Sequence, residues 1–202
     1  MIGDGPRRLD RPYAARVLEI VFETHAWSVD NERGVATGWL PGRLSEDGKR
    51  QARELGARRR DDGISAVFTS DLARAVETAE IAFAGTDIPI YRDARLRECN
   101  YGRMNGAPVT LLDAERVRRI DEPFPDGESY RGAVARVGGF LEELAVTRDG
   151  ERVLLIGHGA TQFALEHLVN GVPLEELVAA PFAWQEGWVY RVTARNTTDE
   201  RT

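Results

Sequence analysis

Residues 17–34, VLEIVFETHAWSVDNERG, decide the fold, because an apolar run ends there in a polar turn. The run at 17–22 is rich in β-branched and aromatic side chains, which predicts a short buried strand. The turn that follows carries Thr24, His25 and Asn31. Open α/β sheets bind their ligands at the carboxyl ends of the strands. We therefore expect His25 to lie at a functional site.

A second histidine follows a similar apolar run much later in the chain. Residues 153–159, VLLIGHG, place His158 between two glycines. The carboxyl ends of neighbouring parallel strands lie at one edge of a sheet, so we expect His25 and His158 to face each other over one pocket. A neutral imidazole near pH 7 is a competent nucleophile or base, and a second imidazole can stabilise developing charge. The third histidine, His167, has no motif around it and is expected to be structural.

The length and charge of the chain restrict its class. At 202 residues it can bury a core without disulfides or metals, and we expect one domain, 1–202, with a core at about 17–194. The net charge of −6 argues against a nucleic-acid or anionic-membrane binder. The single cysteine, Cys99, excludes an internal disulfide. Since no apolar run matches a signal peptide or a membrane span, we expect a cytoplasmic protein whose polar ends, 1–14 and 195–202, are frayed.

Strands and helices alternate along the chain. Predicted strands lie at 66–69, 88–91 and 187–194, and predicted helices at 45–60, 70–84, 129–145 and 160–169, with shorter helical segments at 111–120 and 173–178. This alternation predicts an α/β layer fold with a mostly parallel sheet. Residues 23–44 are predicted to form a long loop, and residues 103–126 a short cap that runs over the edge of the sheet. Ser45 is expected to cap one helix, and Ser70 or Asp71 the next.

Two further side chains suit a phosphoryl group. Arginine presents a planar fork of donors, and Arg74 falls in the first turns of a predicted helix, whose N terminus adds positive potential. Glu98 follows the third strand, where a carboxyl group can protonate a departing alkoxide if burial keeps it protonated. Together with the two histidines, these residues predict a phosphoryl-transfer site.

A series of segments, in one order over residues 17–170, resembles the histidine phosphatase superfamily, which has the phosphoglycerate mutase-like fold. The segments are Thr24-His25-Ala26 with Asn31, Leu44-Ser45-Glu46-Asp47-Gly48, SDLARAVETA at 70–79, LRECNYGRMNG at 96–106, GES at 127–129 and GHG at 157–159. The resemblance implies a three-layer sandwich, a phosphohistidine on His25, a phosphate-binding Arg74, a proton donor at Glu98 and a second histidine at His158. It implies no metal and no cofactor.

The first motif departs from the family pattern. The family has an arginine that binds the phosphate where this chain has Thr24, and a glycine where it has Ala26. A hydrogen bond to a charged group is worth about 1.5–3 kcal/mol, so its loss lowers binding or rate by about one to two orders of magnitude. The departure predicts either a weakened phosphatase or an unusual substrate. Four loop arginines are candidates to compensate: Arg33, Arg43, Arg97 and Arg103.

We predict a metal-independent phosphatase that hydrolyses a small-molecule phosphomonoester, with Thr24, Asn31, Arg74 and Tyr101 contacting substrate. Two alternatives remain: a phosphomutase, and a member that binds a phosphorylated metabolite without turnover because of Thr24. TGW at 37–39 and Tyr101 resemble phosphoglycerate mutases, whose equivalent loop and tyrosine contact substrate. Mutases, however, carry a longer insertion before the second histidine, and this difference favours hydrolysis.

The predicted partner is therefore a small phosphorylated metabolite, with neither nucleic acid nor a membrane. Three side chains in or next to the cap, Met104, Phe124 and Tyr130, favour an organic alcohol with some apolar surface. Trp184 and Trp188 are expected to pack against the core or a neighbouring subunit, which leaves a homodimer open.

Overall fold

The computed structural model describes residues 17–193, so the ends predicted to be frayed lie outside the described residues. The strands are β1 Leu18–Thr24, β2 Val35–Ala36, β3 Ala66–Thr69, β4 Ile90–Arg92, β5 Ala107–Pro108, β6 Arg152–Gly157 and β7 Trp188–Val192. The α-helices are α1 Val29–Glu32, α2 Glu46–Arg59, α3 Ala73–Ala82, α4 Val109–Glu115, α5 Tyr130–Thr147, α6 Gly159–Asn170 and α7 Leu174–Ala179. Short 3₁₀ turns occupy Ala94–Leu96, Gly102–Met104 and Arg118–Ile120.

The central sheet has the strand order β4-β3-β6-β1-β7. Neighbouring strands from β4 to β1 are parallel, and β7 pairs antiparallel with β1. The two strands that precede the predicted active-site histidines, β1 and β6, are direct neighbours, with Thr24 opposite Gly157. The prediction of an α/β fold with a mostly parallel sheet is confirmed.

Alternating residues of each central strand enter two different cores. In β1, Ile20 and Phe22 pack in the core that includes Phe163 of α6, whereas Val21 packs in the core that includes Leu55 of α2. This alternation follows from the two-residue period of a strand. Both faces of the sheet are thus covered by helices, in a three-layer arrangement that leaves the strand ends free to form a site.

The segment predicted as a long loop contains regular structure. A capping box at Ser28 begins α1: the Ser28 Oγ accepts from the Asn31 N–H at 3.1 Å, and the Asn31 Oδ1 accepts from the Ser28 N–H at 3.0 Å. Further on, β2 pairs antiparallel with β5, which lies inside the predicted cap. The loop and the cap are therefore held together, a long-range pairing that a local pattern does not reveal.

The capping predictions for two helices had different outcomes. Ser45 caps α2 as predicted, since its Oγ accepts from the Gly48 N–H at 3.1 Å. The helix predicted from residue 70 begins only at Ala73, with Leu72 at the N-cap position and no side-chain cap. Ser70 instead bonds His158, and Asp71 pairs with Arg97.

Within residues 17–193, no helix has the length and apolar character needed to cross a membrane.

Candidate active site

A cavity of about 690 Å³ lies where β1 and β6 end. It is walled by the turn after β1, the first turns of α3 and α6, and part of the cap. All seven predicted site residues line it: Thr24, His25, Asn31, Arg74, Glu98, Tyr101 and His158. The structure therefore brings the predicted set together in one place, while the role of each residue stays a prediction.

The two histidine rings face each other at the base of this cavity. Their centroids are 5.1 Å apart, and the ring planes are inclined by 57°. The parallel pairing of β1 with β6 continues one residue beyond the strand, since the His25 N–H donates to the carbonyl of Gly157 at 2.9 Å. Sheet register thus fixes the position of one imidazole beside the other.

Arg74 lies between the two rings and is only 2% exposed. Its Nε donates to the His25 Nε2 at 3.1 Å, and its Nη2 donates to the His158 Nδ1 at 3.2 Å and to the Gly38 carbonyl at 3.0 Å. The third nitrogen, Nη1, is buried without a partner. An unpaired donor on a buried cation is costly unless a ligand accepts from it. Arg74 is therefore set to bind an anion between the histidines.

Hydrogen bonds fix the tautomer of each imidazole. The His25 Nδ1 lies 2.7 Å from the carbonyl of Ala26 and so carries the proton, which leaves Nε2 as the unprotonated atom. Since the His158 Nδ1 accepts from Arg74, its Nε2 carries the proton and donates to the Ser70 Oγ at 2.7 Å. An unprotonated Nε2 on a positioned ring is the atom that a nucleophilic histidine uses.

Burial keeps both rings neutral. Burial lowers the pKa of His25 to about 3, with a further lowering by the charge of Arg74. Burial also lowers the pKa of His158 well below its usual value, again helped by Arg74. Desolvation and a nearby cation both disfavour a protonated imidazole. Both imidazoles are thus uncharged near pH 7.

Glu98 is held against the beginning of α6. Its Oε1 accepts from the N–H groups of Cys99 at 2.8 Å and Ala160 at 3.1 Å, and its Oε2 accepts from the N–H of Gly159 at 3.2 Å. Its own carbonyl accepts from the Trp39 Nε1 at 2.6 Å. The carboxyl group is therefore fixed at the cavity wall, beside His158.

The remaining predicted residues line the cavity in less specific ways. Thr24 ends β1 and is partly buried. The amide oxygen of Asn31 is occupied by the capping box described above, where it accepts from the Ser28 N–H and Oγ. Tyr101 is 7% exposed and packs edge-to-face on Phe124. Substrate contact by these three side chains stays a prediction.

The expectation that Arg33, Arg43, Arg97 or Arg103 replaces the missing arginine is wrong, because none of the four lines the cavity. Arg97 pairs with Asp71, and Arg103 pairs with Asp126. Sequence reasoning missed the two other arginines that line the cavity, Arg58 on α2 and Arg116 just after α4. No local motif marks either of them.

These two arginines already have acidic neighbours. Arg58 lies 3.7 Å from a carboxylate oxygen of Glu23 and 3.9 Å from one of Glu186, and Arg116 lies 3.4 Å from Asp113. Among the cavity-lining arginines of the described residues, Arg74 is the one with no carboxylate within 4.0 Å. The strongest unmatched positive charge of the cavity is therefore at its base.

Three exposed aromatic side chains, Trp27, Phe182 and Trp184, form what we call the aromatic rim of the cavity. The sequence did not predict it. Of the residues expected to supply apolar surface, Tyr130 lines the cavity, but Met104 and Phe124 do not. Phe124 is buried in the core, and Met104 packs against that core. Trp188 packs on Phe22, as expected, with ring centroids 5.6 Å apart. Within residues 17–193, the cavity included, no group of three or more His, Cys, Asp or Glu side chains is placed to hold a metal ion.

The chain is similar to phosphoglycerate mutases and phosphatases. A phosphoglycerate mutase of Methylobacterium is 32% identical over 197 residues, which cover 90% of this chain and 95% of that protein. A solved structure of YhfR from Bacillus stearothermophilus superposes with a TM-score of 0.75 at 27% identity, covering 85% of this chain and 90% of that one. A mycobacterial glucosyl-3-phosphoglycerate phosphatase superposes with a TM-score of 0.71 at 25% identity, covering 81% and 84%.

The sequence pattern of one family spans almost the whole described region. The pattern described as the histidine phosphatase superfamily, branch 1, matches residues 20–197. The predicted resemblance is thereby confirmed, and the matched range includes both histidines, Arg74 and Glu98. The chain belongs to the histidine phosphatase superfamily.

Proposed function

We propose that this protein is a phosphatase that hydrolyses a small-molecule phosphomonoester through a phosphohistidine on His25. The observation that carries the proposal is the pair of neutral imidazoles, 5.1 Å apart, bridged by Arg74 with one donor atom unpaired. A tetrahedral phosphoryl group needs a nucleophile on one side and charged donors around its oxygens. The base of the cavity offers both.

In the first step, the hydrogen bond from the Arg74 Nε to the His25 Nε2 breaks, and the freed lone pair of Nε2 attacks phosphorus while Arg74 donates to the phosphoryl oxygens. The bond from phosphorus to the ester oxygen breaks, and its electron pair goes to that oxygen. Glu98 supplies the proton that makes the leaving group a neutral alcohol.

In the second step, water hydrolyses the phosphohistidine. Glu98, now a carboxylate, accepts a proton from water as its oxygen attacks phosphorus. The bond from phosphorus to Nε2 breaks, its electron pair returns to the imidazole, and inorganic phosphate leaves. The bond from the His25 Nδ1 to Ala26 keeps the ring in one tautomer throughout.

Hydrolysis is favoured over mutase chemistry by the charges of the cavity. A bisphosphate or a phosphoglycerate brings a second anionic group, and this group needs a cation of its own. Arg58 and Arg116 already have carboxylates within 4.0 Å. The length of the cap carries no weight in this choice, since a relative described as a mutase is covered over 95% of its length. The expectation from cap length is therefore dropped.

The proposal is tested by measuring phosphate release from a panel of phosphomonoesters with the wild type, His25→Ala and the control His167→Ala. We expect release by the wild type and the control, and its loss in His25→Ala. Acid-labile phosphate on wild-type protein during turnover identifies the intermediate. A phosphatase role is refuted if no ester of the panel yields phosphate. A mutase would isomerise substrate without releasing phosphate, and a binding protein would retain ligands without turnover.

Glu98→Gln separates the proton-transfer role from simple positioning. Proton transfer by a placed side chain is worth about 10²- to 10⁴-fold in rate. We expect a loss in that range for alkyl phosphates and a much smaller loss for 4-nitrophenyl phosphate, whose leaving group needs little protonation. Equal losses for both esters would mean that Glu98 only positions the start of α6.

A further inference from the structure

The aromatic rim carries an inference about the leaving group, which rests on the proposed function because it concerns the alcohol part of the ester. Trp27, Phe182 and Trp184 are 52%, 43% and 59% exposed and line the same cavity as His25. Large aromatic side chains contribute most to stability or binding when other atoms bury them. Exposed rings that surround a concave catalytic cavity are suited to a ligand.

Two of the three rim residues, Phe182 and Trp27, are held by contacts with the fold. The Phe182 ring lies 6.2 Å from the ring of Trp188, which packs in turn on Phe22 of the core. On the other side, the backbone of Trp27 is bonded to α2 and its cap: its N–H donates to the Gln51 Oε1 at 3.0 Å, and its carbonyl accepts from the Ser45 N–H at 3.0 Å. A preformed wall loses little entropy when a ligand binds.

The charges beside the rim disfavour an anionic leaving group. Arg58 is flanked by the carboxylates of Glu23 and Glu186, and a third acid, Glu54, also lines the cavity. The side chain of Glu186 is 63% exposed and adjoins the rim in sequence. A carboxylate or a second phosphate placed there meets acids rather than a free cation.

We propose that the rim binds the alcohol part of the substrate, and that this part is a ring without an anionic group whose flat face stacks on Trp27 or Trp184. The phosphoryl group then lies at the base, next to Arg74, and the ring lies at the mouth. Stacking on an indole requires a flat face, and the acids beside the rim disfavour a second anionic group. The substrate class is thus a phosphomonoester of a ring alcohol with a single anionic group.

Binding of non-hydrolysable phosphonates tests this subsite without turnover. Calorimetry compares 1-naphthylmethylphosphonate with methylphosphonate on the wild type, Trp184→Ala, Trp27→Ala, Trp184→Phe and the control Tyr91→Ala. Tyr91 is an exposed aromatic residue that does not line this cavity. We expect the wild type to prefer the naphthyl compound by about tenfold or more. One or both alanine variants at the rim should lose most of this preference, while Trp184→Phe and Tyr91→Ala retain it.

The outcomes separate this inference from the proposed function. A wild type without preference, or a preference that survives both Trp27→Ala and Trp184→Ala, overturns the inference even if phosphate is released from other esters. A rim-dependent preference supports it even if no ester is hydrolysed, a result that would refute only the phosphatase role. If sedimentation shows a dimer that Trp184→Ala dissociates without changing the preference, the rim is a subunit interface and the inference fails.

Discussion

The base and the mouth of one cavity are built in opposite ways. We call His25, Arg74, Glu98 and His158 the base of the cavity; these polar side chains are joined to one another or to backbone groups by hydrogen bonds. The aromatic rim, in contrast, consists of large side chains exposed to solvent. Under the proposed function, the base binds the phosphoryl group, which every phosphomonoester has, whereas the rim binds the alcohol, which differs between substrates. Specificity should therefore change through the rim while the chemistry at the base stays the same.

The base and the aromatic rim also differ in how they affect the free energy of folding. In the base, the guanidinium of Arg74 is 2% exposed and its Nη1 is unpaired. Burial of a cationic side chain with an unpaired donor opposes folding. At the rim, the exposed rings only forgo the stabilisation that burial of their apolar surface would give. Substitutions in the base should therefore affect both catalysis and stability, and substitutions at the rim should mainly affect ligand choice.

Among the substitutions that test this contrast between base and rim, the largest effect is expected when the fork of Arg74 is removed and its charge is kept. Arg74→Lys retains one positive charge but cannot bond both histidines and a phosphoryl oxygen together. Loss of one preorganised donor of this kind costs about 10²- to 10³-fold in kcat. Phosphate release under saturating substrate measures it.

Arg103→Lys is the matched control, because Arg103 pairs with Asp126 and does not line the cavity. The control should retain wild-type kcat. If Arg74→Lys is as active as the control, the buried guanidinium has no part in phosphoryl transfer, and the contrast between base and rim loses its main support.

The same contrast explains what the sequence predicted. His25 and His158 follow strands that a local apolar pattern reveals, and parallel pairing brings the ends of such strands to one edge. The rim depends instead on β7, which pairs antiparallel with β1 so that Phe22 lies opposite Trp188. The segment before β7, with Phe182 and Trp184, therefore arrives beside the end of β1. The residues of β7 do not reveal whether this edge strand runs parallel or antiparallel to β1, so the sequence did not predict the rim.

Local competition between hydrogen bonds explains the wrong capping prediction for α3. Ser70 or Asp71 was expected to cap this helix, because a serine or aspartate before an apolar helix usually does. The hydroxyl group of Ser70 bonds the His158 Nε2 instead, and the helix begins three residues later. The same competition occurs at Asn31, which lines the cavity but uses its amide oxygen in the capping box of α1; its substrate contact stays a prediction. A polar side chain near a site can bond either the backbone at a helix end or the residues of the site, and sequence alone does not decide between these partners.

An intermediate effect is expected when the family's arginine is restored. Thr24 lines the cavity at the end of β1, so Thr24→Arg adds a second cation beside the base. A charge-assisted hydrogen bond worth about 1.5–3 kcal/mol corresponds to about ten- to a hundredfold in affinity. We expect the inhibition constant for inorganic phosphate to fall by about that factor.

Thr24→Gln controls for the added length without charge and should change the inhibition constant little. An unchanged constant in Thr24→Arg would mean that the new guanidinium does not reach the phosphoryl position. A rise in turnover alongside tighter binding would show that Thr24 weakens the native site, and a fall would show that it suits the native substrate.

The smallest effect concerns stability and pH. In the unfolded chain His25 binds a proton near its ordinary pKa of 6.5, whereas burial keeps the folded residue neutral down to about pH 3. Between these values the unfolded state binds more protons, so the free energy of unfolding falls as the pH is lowered through this window. One group contributes at most about 1.4 kcal/mol per pH unit. Urea unfolding near pH 7 and near pH 5 measures the change.

Between pH 7 and pH 5, the free energy of unfolding should fall less for His25→Asn than for the wild type, because the buried imidazole that resists protonation is gone. His158, which burial affects in the same direction, accounts for part of the remaining slope. His167→Asn is the control for the loss of a histidine that lies outside the cavity. If His25→Asn and His167→Asn change the slope equally, the base does not hold His25 neutral, and a neutral nucleophile at this position is refuted.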